Sequence, residues 1–158
     1  MILWHAGLAV AIVWNVFRDP ALDHRLVVAG ALLPDAVDLV SGRPAYAHTL
    51  LVSVAVLAAV MLGTRGHRVV RRRLLALPIG MFLHLLLDGV WTRPALLWWP
   101  FFGTAFPPGR LVPPLALALV EELAGAWALG WFVWRFRLGD PQRRREFLQR
   151  GRLVPGPS

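Results

Sequence analysis

A chain of 158 residues is long enough for one domain, but 57% of its residues are apolar and only 16% charged, where a soluble domain carries roughly 25% charged residues. That balance leaves too little polar side chain to cover a water-facing surface, and it excludes an ordinary soluble enzyme. The absence of cysteine rules out disulfides, thiolate nucleophiles and Cys-ligated metal sites; all 17 basic residues are arginine, so lysine Schiff-base and Walker-lysine chemistry are excluded too.

Five apolar stretches follow in chain order, at 2–17, 26–40, 49–63, 74–91 and 111–134. A membrane-spanning helix needs about 20 apolar residues, so the first three must draw on flanking polar residues at their ends. The first has no basic leader and no small-residue cleavage site before Arg18-Asp19-Pro20, and reads as a retained helix rather than a signal peptide. Segment 93–109 contains Pro94, Pro100, Pro107 and Pro108, which break a helix, yet Leu96-Leu97-Trp98-Trp99 is strongly apolar. It reads as an outer interfacial loop with tryptophans at headgroup depth.

The arginines supply an orientation. Fourteen of the 17 fall in 18–25, 65–73 and 135–152, while Arg43, Arg93 and Arg110 occupy the alternate connections. The positive-inside rule puts the arginine-rich side in the cytoplasm. The net charge of +8 is then a membrane-flank signature, not a nucleic-acid one. The expectation is an all-α integral membrane protein of the cell membrane: a bundle of about five transmembrane helices over residues 1–138, N-terminus outside and C-terminus cytoplasmic. Residues 139–158 follow as an Arg-, Pro- and Gly-rich cytoplasmic tail on anionic headgroups.

Against this background the polar residues inside the apolar stretches stand out, because ionisable groups in a bilayer are costly and are functional candidates by default. They are His5, Asp35, Asp38, His48, His84, Asp88, Glu121 and Glu122. Counted from the cytoplasmic end of each helix at about 1.5 Å per residue, all lie roughly 15–23 Å deep. Helices running in opposite directions thus bring them to one slab in the outer half of the bilayer. His84 and Asp88 are i, i+4 and share a helix face; Asp35 and Asp38 share one if Pro34 does not break the helix before them. Three His and three Asp form a hard-to-borderline donor set suited to Zn²⁺, Mn²⁺ or Fe²⁺, as one ion or two.

Plainer roles compete with this reading. A lone buried His is more often a hydrogen-bonded core residue. Asp35 can cap a helix start after Pro34, and Asp38 and Asp88 can pair with Arg43 and Arg93. His24 and His67, among the arginines, read as solvated. Glu121 and Glu122 cannot both point one way, so at least one faces a neighbouring helix or polar cavity.

The segment Gly30-Ala-Leu-Leu-Pro-Asp-Ala-Val-Asp38 resembles the G-x-LLPD-x-x-D segment of the membrane-bound, predicted metal-dependent hydrolases of the YdjM-like family. Arg43 with His48-Thr-Leu-Leu51 is similar to its R…HSLL segment, with Thr49 in place of Ser. His84-Leu-Leu-Leu-Asp88, Trp91, Pro94 and Leu97-Trp-Trp-Pro-Phe101 are similar to its HL-x-LD…W…P…LWP stretch, and His5 matches an early histidine. The similarity runs over about two-thirds of the chain. It implies a helical membrane protein with a metal site built from those His and Asp residues, and a hydrolase activity. A fainter similarity, to the sites of zinc-dependent phospholipase C and P1-type nucleases, implies a phosphoester substrate.

The expected mechanism is hydrolysis near the outer leaflet. His5, Asp35, Asp38, His48, His84 and Asp88 hold one or two divalent ions, Zn²⁺ foremost, which bring the pKa of water toward about 7. Asp38 or Asp88 takes the proton, and Arg43 or Arg93 steadies a phosphate. With three serines and four threonines, none in a nucleophile-elbow pattern, water is the expected nucleophile. The substrate is then a lipid or phosphoester, and the partners are the bilayer and an oligomer or larger membrane assembly. The competing expectation is a non-catalytic subunit whose cluster is a structural metal site or polar network.

Overall fold

The computed structural model describes residues 1–20, 22–110, 113–151 and 153, and among them it is all-helical. The helices are α1 (Ile2–Phe17), α2 (His24–Asp38), α3 (Leu50–Gly63), α4 (Arg68–Leu74), α5 (Ala76–Leu87), α6 (Pro94–Leu97), α7 (Leu115–Arg135) and α8 (Pro141–Arg150). Short 3₁₀ turns at Leu39–Ser41, Tyr46–His48 and Val90–Thr92 fill the connections. Each of the five apolar stretches holds a helix: the first keeps its ends and the others are displaced by a few residues; residues 111 and 112 of the fifth lie outside the described residues.

By length and composition, one helix among the described residues, Leu115–Arg135, is long and apolar enough to cross a membrane; Ile2–Phe17 and Leu50–Gly63 are shorter apolar helices. Helix α2 starts two residues earlier than its apolar stretch, because the Asp23 carboxylate caps the Arg25 N–H at 3.2 Å. It also runs through Pro34, which is buried inside the helix rather than breaking it. Helix α5 stops at Leu87, where Asp88 closes the last turn and Gly89 turns left-handed (φ 64°).

The bundle is held by two close crossings. Gly30 of α2 lies against the Leu77 carbonyl of α5, and Gly80 of α5 against the Val27 carbonyl of α2; a Cβ at either would collide with backbone. Helices α1 and α7 meet the same way through Gly7 and Gly125. With no side chain between them, the two backbones come into direct contact at each crossing. Helix α1 also lies against α2 and α5, and α3 lies against α5. Ala9, Val10, Val13, Val27, Leu83 and Phe132 form the main apolar core between these helices.

At the end of the bundle where α2 begins, Asp23 is 1% exposed and accepts from Arg25 Nε (2.9 Å), Arg25 Nη2 (2.7 Å) and Arg73 Nε (2.8 Å). Burial alone raises this carboxyl's pKa, but the arginine hydrogen bonds outweigh it and hold the group below its ordinary 3.8. His24 is buried rather than solvated: its Nδ1–H donates to the Leu22 carbonyl at 2.9 Å, and burial pulls its pKa below 6.5. His67 is exposed, as expected.

The tail is not a free strap. Asp140 caps α8 through the Gln142 N–H at 2.8 Å, Phe147 lies against Phe132, and the Gly151 carbonyl accepts from the His24 N–H at 3.1 Å. Leu153 is buried in the core. Residues 152 and 154–158 of the expected tail lie outside the described residues.

Candidate metal centre

The cluster assembles where α1 begins, α2 and α5 end, and α3 starts. His5 comes from the second turn of α1, Asp35 and Asp38 from the last turn of α2, His48 from the turn before α3, and His84 and Asp88 from the end of α5. The three imidazoles are almost fully buried, at 0–1% exposure, while Asp35 keeps 23% of its side chain exposed.

Asp38 arranges the approach to α3. One oxygen accepts from the Ala45 N–H at 2.7 Å and the other from the Ala47 N–H at 3.3 Å, folding the connection back over the end of α2. The same carboxylate accepts from His48 Nδ1 at 2.7 Å. His84 Nδ1 donates to the Ala31 carbonyl and His5 Nδ1 to the Met1 carbonyl, each at 2.7 Å. Carbonyl oxygens only accept, so these partners assign the proton of His84 and His5 to Nδ1, and the carboxylate does the same for His48. Each ring is left with an Nε2 lone pair.

Those lone pairs converge. His48 Nε2 and His84 Nε2 are 3.2 Å apart, and Asp35 Oδ1 is 3.5 Å from the first and 3.7 Å from the second. His5 stacks on His84 with ring centroids 4.0 Å apart, and Asp35 Oδ2 is 3.6 Å from His5 Nδ1. Asp35 Oδ1 and His5 Nε2 are buried and have no hydrogen-bond partner. The first amino group of the chain lies 3.1 Å from Asp35 Oδ2. Facing lone pairs and a carboxylate oxygen in a buried space repel one another and cost free energy unless a positive charge joins them. A divalent ion supplies it, and the donors fit: neutral imidazole nitrogens with carboxylate oxygens, each ring held from behind at Nδ1 in the manner of ligating histidines.

Two overlapping groups carry ligand atoms within 4.8 Å of one another: His5, Asp35 and His84, and His48, His84 and Asp88. With His84 Nδ1 already engaged, its Nε2 has one lone pair to give, so the two groups are two sides of one site. Buried His/Asp groups that could hold a metal are thus present where the residue pattern anticipates them. Asp38 joins the cluster from behind, through His48.

The remaining candidates sit apart from the converging atoms. Arg43 is exposed; its Nη1 donates to the Phe106 carbonyl at 3.4 Å and its guanidinium lies 5.9 Å over the Phe106 ring. Arg93 is exposed at the start of α6, five residues beyond Asp88. Glu122 has a role the sequence left open: it accepts from the Leu3 N–H at 2.9 Å and so satisfies a free donor at the start of α1. Glu121 Oε2 is buried without a hydrogen-bond partner on the same helix. Sequence reasoning misses the Met1 and Ala31 carbonyls that fix the histidine tautomers; as backbone atoms they leave no mark in the sequence.

None of three comparisons with known proteins, against family models, curated sequences and solved structures, finds a match.

Proposed function

We propose that this chain is a multi-pass protein of the cell membrane whose His/Asp cluster holds a divalent ion, Zn²⁺ foremost, and hydrolyses a phosphoester or phospholipid. The observation that carries the reading is the convergence of two Nε2 lone pairs and an unpartnered Asp35 oxygen on one buried point. The similarity to YdjM-like hydrolases rests on these same residues and supports it.

Membrane placement draws support from the surface. Helix α3 is apolar all round, and Ser53 is its one buried residue; such a helix is stable against lipid, not against water. Leu119, Val120, Leu123 and Trp127 of α7 are 55–75% exposed. Trp91, Trp98, Phe101 and Phe102 of the loop after α5 are exposed too, where interfacial anchors belong. The arginine partition favours the cluster end facing outward. Helices of 12–16 residues are shorter than a full span, which thins the local bilayer and brings a site at their ends close to a headgroup layer.

His5, Asp35, His48 and His84 would hold the ion, with Asp88 beside it and not fully used as a ligand. Bound there, a divalent ion supplies Lewis acidity toward the phosphoryl oxygen and makes water more acidic. The chain does the rest. Asp38 and the Ala31 carbonyl keep His48 and His84 in the tautomer that leaves Nε2 free. Asp88, half-buried at the mouth of the cluster, accepts a proton from the attacking water. The water oxygen bonds to phosphorus, the bond to the leaving oxygen breaks, and the proton passes from Asp88 to that oxygen. Arg43 and Arg93 lie on the same side and offer charge to the anionic substrate.

The test is hydrolysis of bis(p-nitrophenyl) phosphate by purified protein loaded with Zn²⁺, Mn²⁺ or Fe²⁺. Expected is turnover that chelation abolishes and that Asp88→Asn lowers by about 10²-fold or more with metal content retained. Full activity in Asp88→Asn removes that carboxylate from the chemistry.

A second reading is a structural metal or polar network in a larger membrane assembly. It is favoured by the 0–1% exposure of all three imidazoles. Metal retained at stoichiometry with no turnover on any phosphoester decides for it.

A further inference from the structure

A groove of about 420 Å³ runs beside the cluster, walled by α1, α3 and α5. Its volume falls within the ~300–1,000 Å³ of ligand sites, and its walls are almost wholly aliphatic and aromatic. The ends are distinct. Leu50, Leu83 and Leu86 lie at the cluster end, Leu50 two residues after His48 and Leu83 beside His84. Val16, Leu57 and Pro78 lie at the far end. The seven steps of helical rise from Leu50 to Leu57 make it roughly 10 Å long. His5, Ile12 and Val16 share one face of α1, so the face that enters the cluster continues into the groove.

One polar group lies in this wall. Ser53 is 4% exposed, and its hydroxyl has no hydrogen-bond partner. A serine mid-helix ordinarily bonds back to a carbonyl one turn before; this one does not. A buried, unsatisfied hydroxyl costs free energy, and a carbonyl oxygen arriving in the groove would relieve it. Ser53 is the fourth residue of α3, in its first turn, and His48 ends the short turn just before that helix. In a glycerophospholipid the ester carbonyl of an acyl chain is a short glycerol link from the phosphate, which suits a donor one turn into the helix that follows His48.

We propose that the groove binds one acyl chain of an anionic glycerophospholipid, with Ser53 donating to its ester carbonyl and its phosphate directed at the cluster. The proposal names the substrate class and rests on the hydrolase reading. Charge selects this occupant: a cluster requiring a cation, with Arg43 and Arg93 on the same side, matches an anionic headgroup, and the groove offers no other charge for a peptide or helix to pair with. Ser53 is a positioning residue for the chain, and the groove fixes which bond meets the cluster.

The test uses the full chain in nanodiscs of phosphatidylglycerol doped with a phosphatidylglycerol carrying a diazirine a few carbons along one acyl chain, within the length of the groove. After photolysis, the labelled residues are mapped by mass spectrometry. Expected is labelling concentrated on Val16, Leu57 and Pro78, above that on the exposed Leu119, Leu123 and Trp127 of α7. Val54 lines the groove and is 49% exposed, so Val54→Trp fills the groove without disturbing the core. It should cut groove labelling about tenfold or more and leave α7 labelling in place. Ser53→Ala should raise KM for the lipid about threefold to tenfold, with kcat less affected. Labelling spread over α7 and the groove in proportion to exposure means bulk lipid and overturns the proposal. So does groove labelling that survives Val54→Trp. The hydrolase reading fails separately, through wild-type protein that purifies without metal.

Discussion

The bundle buries an aspartate and a histidine at each end, and the two ends treat them oppositely. Where α2 begins, Asp23 has every accepting direction filled by Arg25 and Arg73, and His24 is walled by Trp14 and Phe132. Where α2 ends, Asp35 keeps an unpartnered oxygen and faces the Nε2 atoms of His48 and His84. At the first end the carboxylate is closed with the charges the chain itself provides. At the second, the Met1 amino group 3.1 Å away pairs Asp35 Oδ2, and Oδ1 is left for an arriving cation. Buried charge by itself therefore says little, and so does one open imidazole nitrogen, since His24 Nε2 is also buried without a partner; what separates the two ends is a carboxylate with its hydrogen bonds complete from one with an unpartnered oxygen facing two imidazole nitrogens.

The comparison breaks most sharply if one variant at each end behaves alike. His84→Ala removes the donor common to both ligand groups, and metal is expected to be lost altogether, read by elemental analysis. Asp23→Asn should leave metal at full stoichiometry and cost about 1–3 kcal/mol of stability, because the Arg25 and Arg73 bonds weaken. Equal metal content in the two variants contradicts the distinction. Next in size, Gly30→Leu drives a side chain into the Leu77 carbonyl and should separate α2 from α5. Metal and fold are then lost together, seen as an early thermal transition in detergent.

Asp38→Asn sharpens the comparison from within the cluster. Its carboxylate is spent on Ala45, Ala47 and His48, so metal affinity should fall about 10–100-fold with the bundle intact, the usual effect of losing a partner behind a ligand. Loss as complete as in His84→Ala would make Asp38 a direct ligand.

The smallest expected effect is a pH response at the arginine end. Asp23 has a folded pKa below 3.8, so its contribution is complete above that value and is lost as pH falls through the folded pKa. His24 has a folded pKa below 6.5, so the unfolded chain takes up its proton first and stability declines as pH falls beneath 6.5. Proteolysis of the α8 segment, docked on His24 through Gly151, should thus quicken between pH 7 and pH 5. His24→Gln should flatten that profile; a profile unchanged by this variant excludes His24 as its source.

Much of this was legible in the sequence, for identifiable reasons. Helix α1 runs from 2 to 17, the same residues as its apolar stretch, because Arg18-Asp19-Pro20 both ends the stretch and stops the helix. The cluster residues were legible because ionisable groups in apolar stretches are rare, and a common depth is a tertiary signal carried by one-dimensional counting. Helix α8 was hidden by composition: an Arg-rich tail reads as solvated chain. Yet Asp140, Pro141 and Gly151 stand where a cap, a first-turn proline and a left-handed stop belong. Pro34 looked like a break because the sequence does not show α5 crossing at Gly30 and holding both halves of α2 in line. The contacts of Asp38 were not legible: residue type does not show that its carboxylate bonds the back of His48 and the Ala45 and Ala47 N–H groups.

Metal content tests the central claim most directly. Protein purified in detergent without added metal, analysed by inductively coupled plasma mass spectrometry beside His84→Ala, is expected to carry about one divalent ion per chain, with none in the variant. Wild-type protein that is folded, yet neither carries nor takes up a divalent ion on titration, would contradict it.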